Sequence, residues 1–155
     1  MKHPVSLILK NKGYKVVSVS PTDSIADAIH AMNEANIGAV VVMGGQKLIG
    51  IFTERDVLRK ACFQSLDDMK ATQVKSMMTE KLITGTPSTT VEKAMEIFTN
   101  NRLRHLPILE NNELVGLISS GDVTKWIMEQ QQNEIEHLSD YIAGEHQALK
   151  PNNDE

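Results

Sequence analysis

The feature that most constrains this chain is an internal repeat. Residues 16–61 align with residues 82–127 at a constant offset of 66, without a gap. Pro21 falls on Pro87, Ala28 on Ala94, Leu48 on Leu114, Gly50 on Gly116, and Asp56-Val57 on Asp122-Val123. Six identities in 46 positions are sparse, and the apolar pattern carries the match. Ile25, Ala28, Ile29 and Met32 recur as Val91, Ala94, Met95 and Phe98, the one-sided stripe of an amphipathic helix. A fixed period of this kind means one supersecondary unit used twice.

Each unit reads as β-α-β-β-α. A short strand (16–19; 82–84) leads through a Pro-containing turn into the amphipathic helix. That helix is predicted to start at Asp23 or Ser24 in the first copy. In the second it is predicted to start at Thr89, with Glu92 three residues on completing a capping box. Two strands follow (39–43 with 48–52; 105–109 with 114–118). The four-residue connectors Gly44-Gly-Gln-Lys47 and Glu110-Asn-Asn-Glu113 are rich in turn formers, so these are hairpins. A second helix begins near Thr53 and near Ser119. One 46-residue unit is too small for a sound core of its own. Two units sharing an apolar face predict an α+β pseudo-dimer with a pseudo-two-fold axis.

The remaining segments attach to this pair. Residues 1–15 are predicted as an N-terminal helical extension with Val5, Ile8 and Leu9 on one face. Residues 62–81 form the connector, packed down by Val74, Met77 and Met78. The last helix of repeat two meets no breaker from Gly121 to about Ala143, and Gly144 offers a C-cap. This makes 128–143 a helical extension and 144–155 a flexible tail. Met128, Ile135, Leu138 and Ile142 follow a heptad-like spacing, interrupted by Gln131. Such a stripe either packs on its own module or meets a second copy of the chain.

Composition removes several function classes. The net charge is −4 with no run of Lys and Arg, so nucleic acid is not an expected partner. The single Cys62 forms no internal disulfide and builds no multi-thiolate zinc site, in keeping with a reducing compartment. The longest apolar stretch, residues 38–43, is too short to span a bilayer, and the N-terminus lacks a signal-peptide pattern. The expectation is a soluble, cytoplasmic protein with no metal. Glu134-Ile-Glu-His137 has the Glu-x-x-His spacing of di-iron bundles but no second such motif, and reads as surface charge. Met32, Met43 and Met95 fall on core-facing positions, where methionine acts as adaptable filling. Cys62 has no activating neighbour, no Gly-x-Ser-x-Gly elbow occurs, and no His pair has ligand spacing. The chain is therefore not expected to be an enzyme.

One phrase does carry chemistry. Gly50-Ile-Phe-Thr53-Glu-Arg-Asp56 recurs as Gly116-Leu-Ile-Ser119-Ser-Gly-Asp122, each at the start of a helix. Hydroxyl and carboxylate three residues apart can cap free backbone N–H groups. They can also serve a nucleotide. A helix start attracts a phosphate, to which the hydroxyl donates, while the carboxylate accepts from two ribose hydroxyls.

With the β-α-β-β-α repeat and the Pro after its first strand, the duplicated phrase makes residues 16–127 resemble a tandem pair of cystathionine-β-synthase (CBS) domains. The resemblance implies two clefts, each able to hold an adenosine-containing ligand such as AMP, ADP, ATP, NAD or S-adenosylmethionine. By that analogy Asp56 and Asp122 hold riboses. Thr53 and Ser119 hold phosphates, with Arg55 and Gly121 beside them in the two phrases. Ser18, Ser20 and Pro21, with Thr84, Thr86 and Pro87, border the adenine. The second-strand starts enter the clefts, Gly38-Ala39 in repeat one and Arg104-His105-Leu106-Pro107 in repeat two. With Arg102, Arg104 and His105 there, repeat two is expected to take the more phosphorylated ligand. Repeat one is left with Arg55, an uncharged ligand or none.

The function implied is an adenine-nucleotide sensor that binds without turnover. Only 15 residues precede the repeats and 28 follow them, so a stand-alone module is expected. It would act in trans on a separate target protein or through its own oligomeric state, with a homodimer expected. Two alternatives stand beside it: a ligand-free structural adaptor, and an enzyme using acid–base chemistry around His105 and Asp122.

Overall fold

The computed structural model describes residues 2–61 and 65–148, without the side chains of residues 61 and 146–148. The mixed α+β architecture expected from the repeat is present. A short helix α1 (Ser6–Lys12) comes first. In repeat one, β1 (Ser18–Val19) pairs in parallel with β2 (Ala39–Gly44), which pairs antiparallel with β3 (Lys47–Thr53). Helix α2 (Ile25–Ala35) connects β1 to β2. The second helix starts as α3 (Glu54–Asp56) and continues as a π-helical turn, Val57–Ala61. In the connector, α4 (Leu66–Ala71) precedes a 3-10 turn, Val74–Ser76. Repeat two contributes α5 (Val91–Asn101), the antiparallel pair β4 (His105–Glu110) and β5 (Glu113–Ser119), and the long helix α6 (Ser120–Ala148).

The strand expected over residues 82–84 does not form. Only a single parallel bridge, Gly85 to Ile108, stands where repeat one has β1. Proline is the reason. In repeat one the Val41 N–H donates to the Val17 carbonyl at 3.2 Å. The matched position in repeat two is Pro107, which has no N–H to donate.

Two local details also differ from expectation. The cap of α5 is Thr90, whose hydroxyl accepts from the Lys93 N–H at 3.1 Å. Thr89 spends its hydroxyl on the preceding turn, accepting from the Thr86 N–H at 2.9 Å. Ser24 caps α2 with a reciprocal box to Asp27, and it lies 66 residues before Thr90. The hairpin connectors are two residues long rather than four. Asn111 and Asn112 both take positive φ (51° and 63°), as does Gly45 (66°), so the turn twist matches the flanking strands and pairing extends outward.

Helix α6 continues through Gly144 to Ala148. A mid-helix glycine costs only about 1 kcal/mol relative to alanine, too little to end a helix that proline does not interrupt. Cys62 and the tail from residue 149 lie outside the described residues.

Each repeat has its own core, and each core is covered by the segment that precedes the other repeat. Ile25, Ala28, Met32, Val40, Val42 and Phe52 pack under Val74 of the connector. Val91, Ala94, Phe98, Leu106, Ile108, Ile118, Val123 and Trp126 pack under Val5, Ile8 and Leu9 of the N-terminal segment. The two covers dock alike. The Val74 N–H donates to the Asp23 carbonyl and the Val5 N–H to the Thr89 carbonyl, both at 2.8 Å. Lys75 N–H donates to Pro21, and Ser6 N–H to Pro87. The pseudo-symmetry therefore extends beyond the gapless repeat, with covers offset by 69 residues rather than 66.

Candidate functional site

A cleft of about 1020 Å³ opens between the second-helix start of repeat one and the loop leading into β4. Gly38, Ile51 and the turn from Thr53 to Lys60 form one wall; residues 101–105 form the other. Ile29, Met32 and Ile37, from α2 and the turn after it, add apolar lining, and Thr79 lines the cleft beside Ile51.

The Thr53–Asp56 phrase is folded as a capping box. The buried Asp56 Oδ2 accepts from the Thr53 N–H at 3.0 Å and its hydroxyl at 3.2 Å. Thr53 Oγ1 accepts in turn from the Asp56 N–H at 3.3 Å. Lys60 Nζ, one helical turn on, sits 3.2 Å from Asp56 Oδ1. The capping role is thus realised, and Lys60 occupies the remaining carboxylate oxygen. Beside it, a Cβ on Gly38 would stand 3.1 Å from the Glu54 carboxylate, a tight approach that a small shift of that flexible side chain relieves. Arg55 Nη1 reaches across the cleft and donates to the Arg102 carbonyl at 2.9 Å.

Arg104 and His105 do not gather around the second phrase alone, as the sequence suggested. They line the cleft that contains Thr53 and Asp56. Strands β3 and β5 lie close together, so the two helix starts converge and the β4 entry falls between them. The half-buried His105 has its pKa lowered, first by burial, then by the Lys12 and Arg104 charges, against the pull of Glu54 and Asp122. Counting side chains on the cleft, Arg55, Arg59, Lys60, Arg102 and Arg104 face the carboxylates of Glu54 and Asp56. The surplus of positive charge is on the repeat-one cleft.

The second phrase is capped the same way and then covered. Asp122 Oδ2 accepts from the Ser119 N–H at 2.8 Å, and the Asp122 N–H donates to Ser119 Oγ at 3.1 Å. Lys12, from the last turn of α1, places its ammonium 2.6 Å from the same Asp122 oxygen. Burial pushes the Asp122 carboxyl up, but hydrogen bonds from Lys12 and Ser119 and the Lys12 charge outweigh it and hold it below its usual value. Gly121 is exposed at the start of α6.

The other expected residues stand apart from this cleft. Ser18 lines a separate shallow groove with Tyr14 and the β2–β3 turn. Ser20 and Thr86 serve the turns before α2 and α5, their hydroxyls 3.1 and 3.0 Å from those of Thr22 and Ser88. Pro21 and Pro87 give their carbonyls to the two covers. Thr84 is exposed, while Ala39, Leu106 and Pro107 are buried in strands. Sequence reasoning missed Asn101, Leu103, Thr79 and Lys60 on the cleft, and Lys12 at the second phrase. The cation four residues after Asp56 was the available signal for Lys60.

Two copies of one supersecondary unit, each with a capped second-helix start, and a cleft built from the repeat-one helix start and the β4 entry of repeat two define a tandem-repeat module of the CBS type. The CBS domain family model matches residues 11–62 and 74–129, and the chain belongs to that family. It is 38% identical over 149 residues to the mitochondrial CBS domain-containing protein CBSX3 of Arabidopsis thaliana, covering 90% of this chain and 72% of that one. The structure of the CBS-domain protein ATU1752 from Agrobacterium tumefaciens superposes with a TM-score of 0.74. The two are 38% identical, and the match covers 79% of this chain and 97% of that one. Inosine-5'-monophosphate dehydrogenase of Methanocaldococcus jannaschii is 36% identical over 112 residues. That match takes in 71% of this chain but only 21% of the enzyme. Among the described residues, no helix is long and apolar enough to cross a membrane.

Proposed function

We propose that this chain is a regulatory sensor that binds an adenine nucleotide (AMP, ADP, ATP or NAD) in the repeat-one cleft and does not turn it over. One observation carries the reading. Arg102 and Arg104 of repeat two line the same cleft as the Thr53–Asp56 helix start of repeat one, and that cleft is large enough for a nucleotide. A helix start with a hydroxyl, facing arginines, suits a phosphate. The apolar lining from Ile29, Met32 and Ile37 suits a base. Asp56 accepts ribose hydroxyls by giving up Lys60, which is then free for the phosphates.

This reading moves the phosphate preference from repeat two to repeat one. It requires no metal and no membrane, and it places the protein in the cytoplasm, acting on a separate target or through its own assembly. For the assembly we propose a homodimer through α6. Acid–base catalysis at His105 and Asp122 gains no support, because Lys12 and Ser119 both bond the Asp122 carboxylate.

The test is calorimetric titration of the purified protein with AMP, ADP, ATP, NAD and adenosine, followed by chromatography of the recovered ligand. Binding of a nucleotide that is recovered intact supports a sensor. New products would make the chain an enzyme, and absence of binding would leave it an adaptor.

A further inference from the structure

The two helix starts are alike in their caps and unlike in what covers them. In repeat one, the connector beyond Met78 becomes extended and pairs with the edge of β3. The Thr79 N–H donates to the Ile51 carbonyl at 2.9 Å, and the Ile51 N–H to the Thr79 carbonyl at 3.0 Å. In repeat two the matching cover stays helical to Lys12. Leu117, which corresponds to Ile51, gets no such backbone partner from it. Its carbonyl instead accepts from Lys12 Nζ at 2.9 Å. The same ammonium reaches Asp122 Oδ2 at 2.6 Å. Asp56, the counterpart of Asp122, takes its cation from within its own helix, at Lys60. Lys81, at the position 69 residues after Lys12, is exposed.

We infer that Lys12 makes the two repeats unequal: it occupies the repeat-two position as an internal cation, so the chain holds one nucleotide, in repeat one. The inference rests on the proposed reading of the repeat-one cleft. Its chemistry is a competition for one carboxylate. A ribose hydroxyl is a neutral donor, whereas Lys12 brings a charge-assisted bond to a partly buried acceptor and satisfies an edge carbonyl as well. The helix that carries Lys12 is anchored by Val5, Ile8 and Leu9 in the repeat-two core, so the ammonium is held in place rather than offered from a loose tail. Lys60 differs in this respect. Its ammonium also donates to a backbone carbonyl, that of Met77 at 3.1 Å. But Lys60 lies on the exposed side of a π-helical turn that lines the cleft and not on the segment that covers a core, so a ligand there can displace it.

The test is the stoichiometry of ATP binding by calorimetry, for wild type, Lys12→Ala and Lys12→Ala with Asp122→Ala, each checked for folding by circular dichroism. Lys12→Gln replaces Lys12→Ala if the alanine variant does not fold. One ATP per wild-type chain is expected, two per chain for the Lys12 variant, and one again for the double variant. Two ATP per wild-type chain, or one for both wild type and the Lys12 variant, overturns the role of Lys12 and leaves the repeat-one reading standing. No ATP bound by any of the three overturns both.

Discussion

Gly50 and Gly116, 66 residues apart, hold the same seat at the edges of the two sheets. A Cβ on Gly50 would meet Met78 Sδ at 2.5 Å, and one on Gly116 would meet Leu9 Cδ2 at 2.6 Å. Each glycine lets the cover that precedes the opposite repeat press flat against a strand. The identity of these residues in both copies thus reports the exchange of covers.

Replacing Gly116 by alanine forces Leu9, which is only 1% exposed, out of its place in the repeat-two core. Overpacking of this kind costs about 1–3 kcal/mol. At Gly50 the nearest group is a flexible methionine end that can swing away, and the Thr79 carbonyl at 3.2 Å needs to give by only a few tenths of an ångström, so Gly50→Ala is expected to cost less. Urea midpoints of the two variants check this; an equal or smaller loss for Gly116→Ala would remove Leu9 as the constraint.

In the repeat-one cleft, Arg104→Ala is expected to weaken ATP and AMP binding and leave adenosine binding nearly unchanged. Loss of a hydrogen bond from a charged group is worth about 1.5–3 kcal/mol, or roughly tenfold to a hundredfold in affinity. Calorimetry on the three ligands reads this directly. Equal losses for all three would place Arg104 away from the phosphates.

Asp56→Ala combines two effects that can be separated. It removes half of the cap on α3, which typically costs about 0.5–2 kcal/mol of stability, and it removes the ribose acceptor. Ligand-free melting reports the first and titration the second. A variant that melts early yet binds ATP as tightly as wild type would confine Asp56 to capping.

His105 gives the stability a pH dependence. Its folded pKa lies below the ordinary value of about 6.5, so the unfolded chain binds the proton first as pH falls. Stability is therefore full above that value and is lost as pH drops toward the folded pKa. Urea melts at pH 7.5, 6.5 and 5.5 are expected to show the decline, with a shallower slope for His105→Gln. An unchanged slope would assign the decline to other groups.

Met128, Ile135, Leu138, Tyr141 and Ile142 of α6 are each more than half exposed. None folds back on α1, whose apolar face is already used by the repeat-two core as far as Trp126. If the stripe is the contact of a homodimer, Ile135→Glu with Leu138→Glu yields a monomer by light scattering, with nucleotide binding retained. A dimer that survives both changes would move the contact to the repeats.

The repeat, the order of its elements and the two capped helix starts were legible in the chain because they are local. Apolar periodicity, turn residues and hydroxyl–carboxylate spacing act over a few residues, and duplication displays each of them twice. Thr90 too is legible in its 66-residue relation to Ser24, although the capping-box pattern points to Thr89. What lay beyond the sequence were relations between distant segments. Pattern alone could not tell that the segment before each repeat covers the other repeat. Nor could it tell that Arg102 and Arg104 face Thr53, or that Lys12 reaches Asp122 across 110 residues of chain. Those contacts are chosen by the packing of two cores against each other. Which strand edges meet depends on the fit of buried volumes, and that fit exists only once both repeats are folded.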